Sequence, residues 1–251
     1  MANKCAICGA DINLFQTQKL ADGNCICRKN CCKKNFKCVD LVHASLPYVT
    51  DHIAQVERGT KLWNHYFAPK LKEKDKNKKL VRFGADLYVA ADLGLMAYTQ
   101  TDYKFMMFGK TVRACVYRIA DLRSYRYEER LVSSGDKTEN KPFAILNFIN
   151  TSGMSEVALP ISGSKECEKL QKYFDTLFGI QKTLGNVANT WKAQTNAIKN
   201  VAAGLSAVVK GDADADAKTA EAVDSVDTAL YGDRTELIKK ADEALAAFNG
   251  Q

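Results

Sequence analysis

Between residues 80 and 163, apolar and polar positions alternate with period two in short runs rich in Val, Ile, Tyr and Phe. On both sides of that stretch apolar positions recur every three or four residues. The alternating part predicts strands over "DLYVAAD", "GLMAYTQ", "YKFMMFG", "VRACVYRI", "LRSYRYEE", "FAILNFIN" and "SEVALPI", with turns at "ADLG", "QTD", "FGK", "SSGDKTENK" and "NTSGM". In the last run Val157, Leu159 and Ile161 alternate with Glu156, Ala158 and Pro160, the pattern of a sheet with one wet face. Ser164 then caps a helix, "KECEKLQKYFDTLFGI", which places Cys167, Leu170, Phe174 and Leu177 on one side. Seven antiparallel strands followed by one amphipathic helix predict a seven-stranded antiparallel barrel with a capping helix.

The flanks are helical. In "ASLPYVTDHIAQVERGTKLWNHYFAPKL", Ser45 precedes Pro47 as a start signal, Ile53, Val56, Trp63 and Phe67 follow a loose helical spacing, and Gly59 marks a break, so one or two helices are expected. None of His43, His52 and His65 lie three or four residues apart, so they read as surface or partly packed side chains, not as a ligand pair. "KLKEKDKNKKL", Lys70 to Leu80, reads as a solvated linker or hairpin rim, its alternating acids diluting any electrostatic contact with anionic lipid or nucleic acid. Beyond residue 179 an alanine-rich region carries one helical stripe from Ile180 through Trp191 to Val208. A second runs through Leu237, Ile238, Ala241, Leu245 and Phe248, capped at Asp233. The "GDADADA" between them lacks the sixth-position glycine and twelfth-position glutamate of a calcium loop. The chain therefore divides into residues 1–40 (cysteine-rich), 41–79 (helical and basic linker), 80–179 (barrel) and 180–251 (a C-terminal helical hairpin able to self-associate). The fold class is α+β.

Charge changes the picture in one place. Of the 251 residues, the first 80 hold 15 Lys and Arg against 7 acids, and the net charge of +7 arises there. A basic lobe favours phosphates, of nucleic acid or of an anionic membrane face. No apolar run has signal-peptide or transmembrane length, which predicts a cytoplasmic protein, at most peripheral to a membrane. In that reducing compartment clustered cysteines signal metal or catalysis before disulfides.

The cluster is "CAICGADINLFQTQKLADGNCICRKNCCKK", with six of the nine cysteines. Cys5 and Cys8 with Gly9 have the form of a zinc knuckle, and "ADGN" is a hairpin-turn signal that leads to a second group, Cys25, Cys27, Cys31 and Cys32. Cys27, ending a strand, and Cys31, about one helical turn on, complete a tetrahedral set with Cys5 and Cys8. Cys25 could replace Cys27 after a register slip, and Cys32 competes with Cys31. A zinc site made of four cysteines is closed to substrate and therefore structural. Its charge of about −2 gives Arg28, Lys29, Lys33 and Lys34 a neutralising role, with a phosphate-binding surface as the sharper alternative.

The residues "CAICG", "KLADG" and "CRKNC" resemble the N-terminal four-cysteine zinc ribbon of a family of unknown function from Gram-positive bacteria. That resemblance implies zinc binding through Cys5, Cys8, Cys27 and Cys31 over roughly 30 residues, and implies no activity. The element order after residue 80, with "VYRIADLRSYRYEE", resembles bacterial pleckstrin-homology and GRAM-type domains over about 100 residues. It implies a barrel plugged by its terminal helix. On that plan Tyr117, Tyr125, Tyr127, Phe143 and Phe148 are sheet packing, and Arg113, Arg118, Arg123, Arg126 and Arg130 are the candidates for an anionic head group.

No Ser/His/Asp set, phosphate-cradling glycine loop or clustered carboxylate pair occurs in the sequence. The expectation is a non-enzymatic binding or adaptor protein that engages a protein partner or an anionic membrane surface and assembles through its C-terminal helices. The alternative is nucleic-acid binding by the basic zinc ribbon.

Overall fold

The computed structural model describes residues 3–28, 39–73, 80–103, 110–134, 137–179 and 232–250. Cys31, Cys32, Lys29, Lys33 and Lys34, most of the lysine-rich linker and of "YKFMMFG", the helical stripe from residue 180 to 208 and "GDADADA" lie outside them. The chain forms two compact units, Met1–Cys167 with Leu237–Gln251, and Glu168–Glu236.

In the first unit the order is β1 (Asn3–Lys4), β2 (Asp11–Ile12), a 3-10 turn (Leu14–Gln16), β3 (Thr17–Lys19) and β4 (Cys25–Cys27). There follow α1 (Leu46–Leu62), a π turn (Trp63–Phe67) and α2 (Ala68–Lys70). Next come β5 (Val81–Phe83), β6 (Leu87–Ala90), β7 (Leu95–Tyr103), β8 (Lys110–Arg118), β9 (Leu122–Ser134), β10 (Lys137–Phe148) and β11 (Glu156–Pro160). Helix α3 (Ser164–Leu177) straddles the boundary between the units, as does α4 (Thr235–Asn249).

The expected mixture of antiparallel strands and helices is present, but among the described residues no barrel closes. β5–β6–β7–β8 form one antiparallel sheet and β9–β10–β11 another, and no ladder joins them. The reason lies at Ile119–Asp121. There a 3-10 turn lifts the chain out of β8 before β9 can pair with it, and the turn buries Ile119 and Ala120. The two sheets meet where Tyr117 of β8 stacks on Phe148 of β10 at 4.0 Å and donates its hydroxyl to the Met154 carbonyl. The turn expected at "SSGDKTENK" is far shorter, because β9 and β10 stay paired out to Ser134 and Lys137.

Helix α1 corrects two local expectations. Its N-cap residue Ser45 is extended but makes no side-chain cap; Asp22, in the β3–β4 hairpin turn, accepts the Leu46 N–H at 2.7 Å instead. Gly59 does not break the helix. It buries against β8, where an added Cβ would lie 2.3 Å from the Ala114 carbonyl, so glycine permits the close approach. The neighbouring Thr60 hydroxyl accepts the Ala114 N–H at 3.1 Å.

Two apolar clusters organise this unit. One joins Cys5, Ile12, Leu20, Ile26 and Cys27 of the cysteine-rich module to Val49 and Ile53 of α1. The other packs Trp63 and Phe67 on Leu95, Ala97 and Ala114 of the four-stranded sheet, together with Ala241 and Ala244 of α4. The α4 stripe is therefore narrower than the spacing suggests: Leu237, Ala241 and Ala244 are buried, while Ile238 is exposed. Tyr66 donates to the Ala244 carbonyl at 2.7 Å, and Arg118 pairs with Asp242 at 2.8 Å.

In the second unit Phe174 stacks on Phe178, the Arg234 guanidinium lies over the Phe178 ring at 4.0 Å, and Asp233 accepts the Thr235 N–H at 2.9 Å to start α4. That hydrogen bond holds the Asp233 carboxyl below its ordinary range.

Candidate metal centre

Two short ladders build the site. β1 pairs with β2 in the register Lys4↔Asp11, so the chain between them makes a tight knuckle. The Cys5 N–H donates to the Ala10 carbonyl and the Gly9 N–H to the Cys5 carbonyl, both at 2.8 Å. Gly9 takes φ +71° there with open space around it, so the backbone conformation and not crowding selects glycine. β3 pairs with β4 in the register Thr17↔Cys27 and Lys19↔Cys25, with Gly23 at φ +83° in the connecting turn. The Ala6 N–H donates to the Cys25 carbonyl at 2.8 Å and ties knuckle to hairpin.

The result gathers the sulfurs of Cys5, Cys8 and Cys27 within 4.8 Å of one another. Cys8 Sγ and Cys27 Sγ stand 3.8 Å apart. Two thiolates on one tetrahedral zinc, each at about 2.3 Å, would be separated by about 3.8 Å. A disulfide would need about 2.05 Å. The Cys27 N–H donates to Cys5 Sγ at 3.3 Å, a bond that favours the thiolate and orients it. Cys5 and Cys27 are buried and Cys8 is exposed. Three soft sulfur donors at this spacing could hold a thiophilic metal ion.

Of the candidate ligands, Cys5, Cys8 and Cys27 are thus brought together, and Cys31 lies outside the described residues. Cys25 is not part of the group. It shares a pleat direction with Cys27, but two residues along a strand is a rise of about 6.6 Å, and its sulfur sits 4.0 Å from the Gly23 carbonyl instead. Arg28, the described member of the basic set, is exposed, and its N–H donates to the Gln16 carbonyl at 2.8 Å.

Other residues are redistributed. His43 and His65 are exposed, but His52 is fully buried on the inner stripe of α1, stacked against Tyr48. Burial pushes its pKa down. Tyr117 and Phe148 are buried, as expected of sheet packing, whereas Tyr127 is exposed. Four of the five strand arginines meet carboxylates, Arg118 through Asp242. Arg113 pairs with Asp102, and Arg126 and Arg130 meet Glu128 and Glu156. Arg130 holds the Glu128 carboxyl below its ordinary range. Asp22 is the residue the spacing does not reveal. The Leu46 N–H holds its carboxyl below the usual range and couples the hairpin to α1. Its only sequence signal is the turn "ADGN".

No protein-family model matches the chain, and neither the curated proteins nor the solved structures hold a significant match to it.

Proposed function

We propose that this chain is a non-enzymatic binding or adaptor protein whose N-terminal module is a structural zinc site. The observation that supports it most is the Cys5, Cys8 and Cys27 group, with the Cys8–Cys27 separation of 3.8 Å that a shared tetrahedral ion requires. Cys31 is the fourth ligand in this reading. Four thiolates leave no open coordination position, so the ion holds the knuckle on the hairpin and catalyses nothing. The body after residue 80 is a pleckstrin-homology or GRAM-like domain. The order of its strands and the helix that follows them favour this. The module and this body together present surfaces for a protein partner or an anionic lipid surface, and the C-terminal helices mediate self-association. The basic excess of the first 80 residues favours a second reading, nucleic-acid binding by the module. DNA or RNA affinity that falls steeply with salt would support that reading, and no affinity at low salt would remove it.

Metal analysis of the purified chain tests the centre. About one zinc per chain is expected, with loss of the ion in Cys8→Ser and Cys27→Ser and retention in Cys25→Ser. Full zinc in Cys27→Ser would sink the assignment.

A further inference from the structure

The 3-10 turn Leu14–Gln16 raises Leu14 and Phe15 into solvent at 86% and 91% exposure, the most exposed of the large apolar side chains among the described residues. They are adjacent, and the turn beneath them is braced. The Asn13 side chain accepts the Gln16 N–H at 3.1 Å, and the Thr17 hydroxyl donates to the Asn13 carbonyl at 2.7 Å. Ile12, just before them, is buried in the module's core, so the outward turn is a feature of the fold and not a frayed end. Beside the tip, Arg28 is bound through its N–H to the Gln16 carbonyl. From that point the sequence carries Lys29, Lys33, Lys34 and Lys37 with no acid before Asp40.

We infer that Leu14 and Phe15 are an apolar wedge that enters the interfacial region of an anionic bilayer, with the exposed Arg28 beside the tip meeting the headgroups. The inference rests on the anionic-surface arm of the proposed function. The occupant follows from shape, area and charge. Two side chains at a convex tip bury about 400 Å² at most. A stable protein interface or a second copy needs about 800 Å² from each partner. A bilayer has no such minimum, because a small apolar anchor and a polybasic segment suffice together for reversible attachment. Isolated surface leucines are ordinary. An adjacent Leu-Phe pair on a braced tip, beside the exposed Arg28, is not explained by chance exposure.

The test uses the full metal-loaded chain and vesicles of phosphatidylcholine alone or with phosphatidylserine. The wild type is expected to sediment with the phosphatidylserine vesicles and not with phosphatidylcholine alone, and to release as salt is raised. A Leu14→Ser, Phe15→Ser double variant should lose about tenfold or more in partitioning, with unchanged metal content and circular dichroism. In a Phe15→Trp variant, acyl-chain-brominated lipid should quench fluorescence beyond the wild-type level. If the wild type binds but the double variant binds equally and the Phe15→Trp variant shows no extra quenching, the wedge is wrong and the anionic-surface reading stands. If the wild type ignores anionic vesicles, both fall. If the wild type is a dimer and the double variant a monomer, a second copy covers the tip and the bilayer assignment is overturned. Should the double variant lose its metal, the quenching result alone decides.

Discussion

At the scale of single residues, the most informative position is His52. It occupies the inner stripe of α1 with Val49, Ile53, Val56, Gly59 and Leu62, and it faces Gln55 Oε1 at 3.4 Å. Burial lowers its pKa from the ordinary 6.5, so the folded state keeps the ring neutral where the unfolded chain takes up a proton. The stabilising contribution is therefore complete above pH 6.5. It is lost as pH falls from there towards the lowered folded value, with a slope of up to about 1.4 kcal/mol per pH unit for one proton. Urea midpoints measured across that window should fall with pH in the wild type and fall less in His52→Gln; parallel slopes would exclude His52 as the cause. The helical spacing placed Ile53 and Val56 inside, but three scattered histidines gave no reason to bury the middle one. Its burial comes from the direction in which the tertiary contacts of α1 pull that stripe.

At the scale of elements, α1 is where local rules and the tertiary structure disagree most usefully. A glycine inside a helix reads as a weak point, and by propensity Gly59→Ala should stabilise the helix by about 1 kcal/mol. Here an added methyl would meet the Ala114 carbonyl at 2.3 Å and the Val116 nitrogen at 2.9 Å, both backbone atoms of β8. Overpacking of that kind costs about 1–3 kcal/mol. Gly59→Ala is expected to lower the denaturant midpoint; a stabilised variant would mean that α1 does not approach β8 this closely. The strands were legible because alternation is a local property. β6, β9 and β11 fall within predicted runs or extend them, whereas β7 runs on through Gln100–Asp102, where a turn is expected, because those residues stay paired with β8. The three-residue β5 was not, since Val81–Phe83 is too short to show a period and is held by its ladder to β6. The same limit applies to "INLFQTQKL", the run before the "ADGN" turn, whose centre is the 3-10 turn that exposes Leu14 and Phe15.

At the scale of the whole molecule, the far end of the chain returns to complete the first unit. α4 lays Ala241 and Ala244 against the Trp63 and Phe67 cluster. The contact is close enough that a Cβ on Gly94, which has φ +62°, would lie 2.3 Å from the Leu237 carbonyl and 2.9 Å from the Ala241 nitrogen. Gly94→Ala is expected to undock α4, on both steric and backbone grounds. The readouts are faster hydrogen exchange over residues 237–249 and a red-shifted contribution from Trp63, which is 5% exposed in the docked state. Unchanged protection of α4 in that variant would show that the helix is held by something other than this contact. The apolar stripe announced a helix that needed a partner; that the partner is a sheet far earlier in the chain is not written in the stripe.

What the sequence determined by itself is what local spacing encodes: the period-two body, the helical flanks, the Cys5–Cys8 knuckle with Gly9, and a hairpin that delivers a second cysteine group. Each follows from constraints among residues a few positions apart, such as the pleat of a strand, the pitch of a helix or the left-handed freedom of one glycine. The tertiary structure alone decided between Cys25 and Cys27, buried His52, passed α1 through Gly59, assigned the α1 cap to Asp22 and turned Leu14 and Phe15 outward. Those outcomes depend on distances between segments remote in sequence, and alternation or pitch carries no information about how closely two such segments approach.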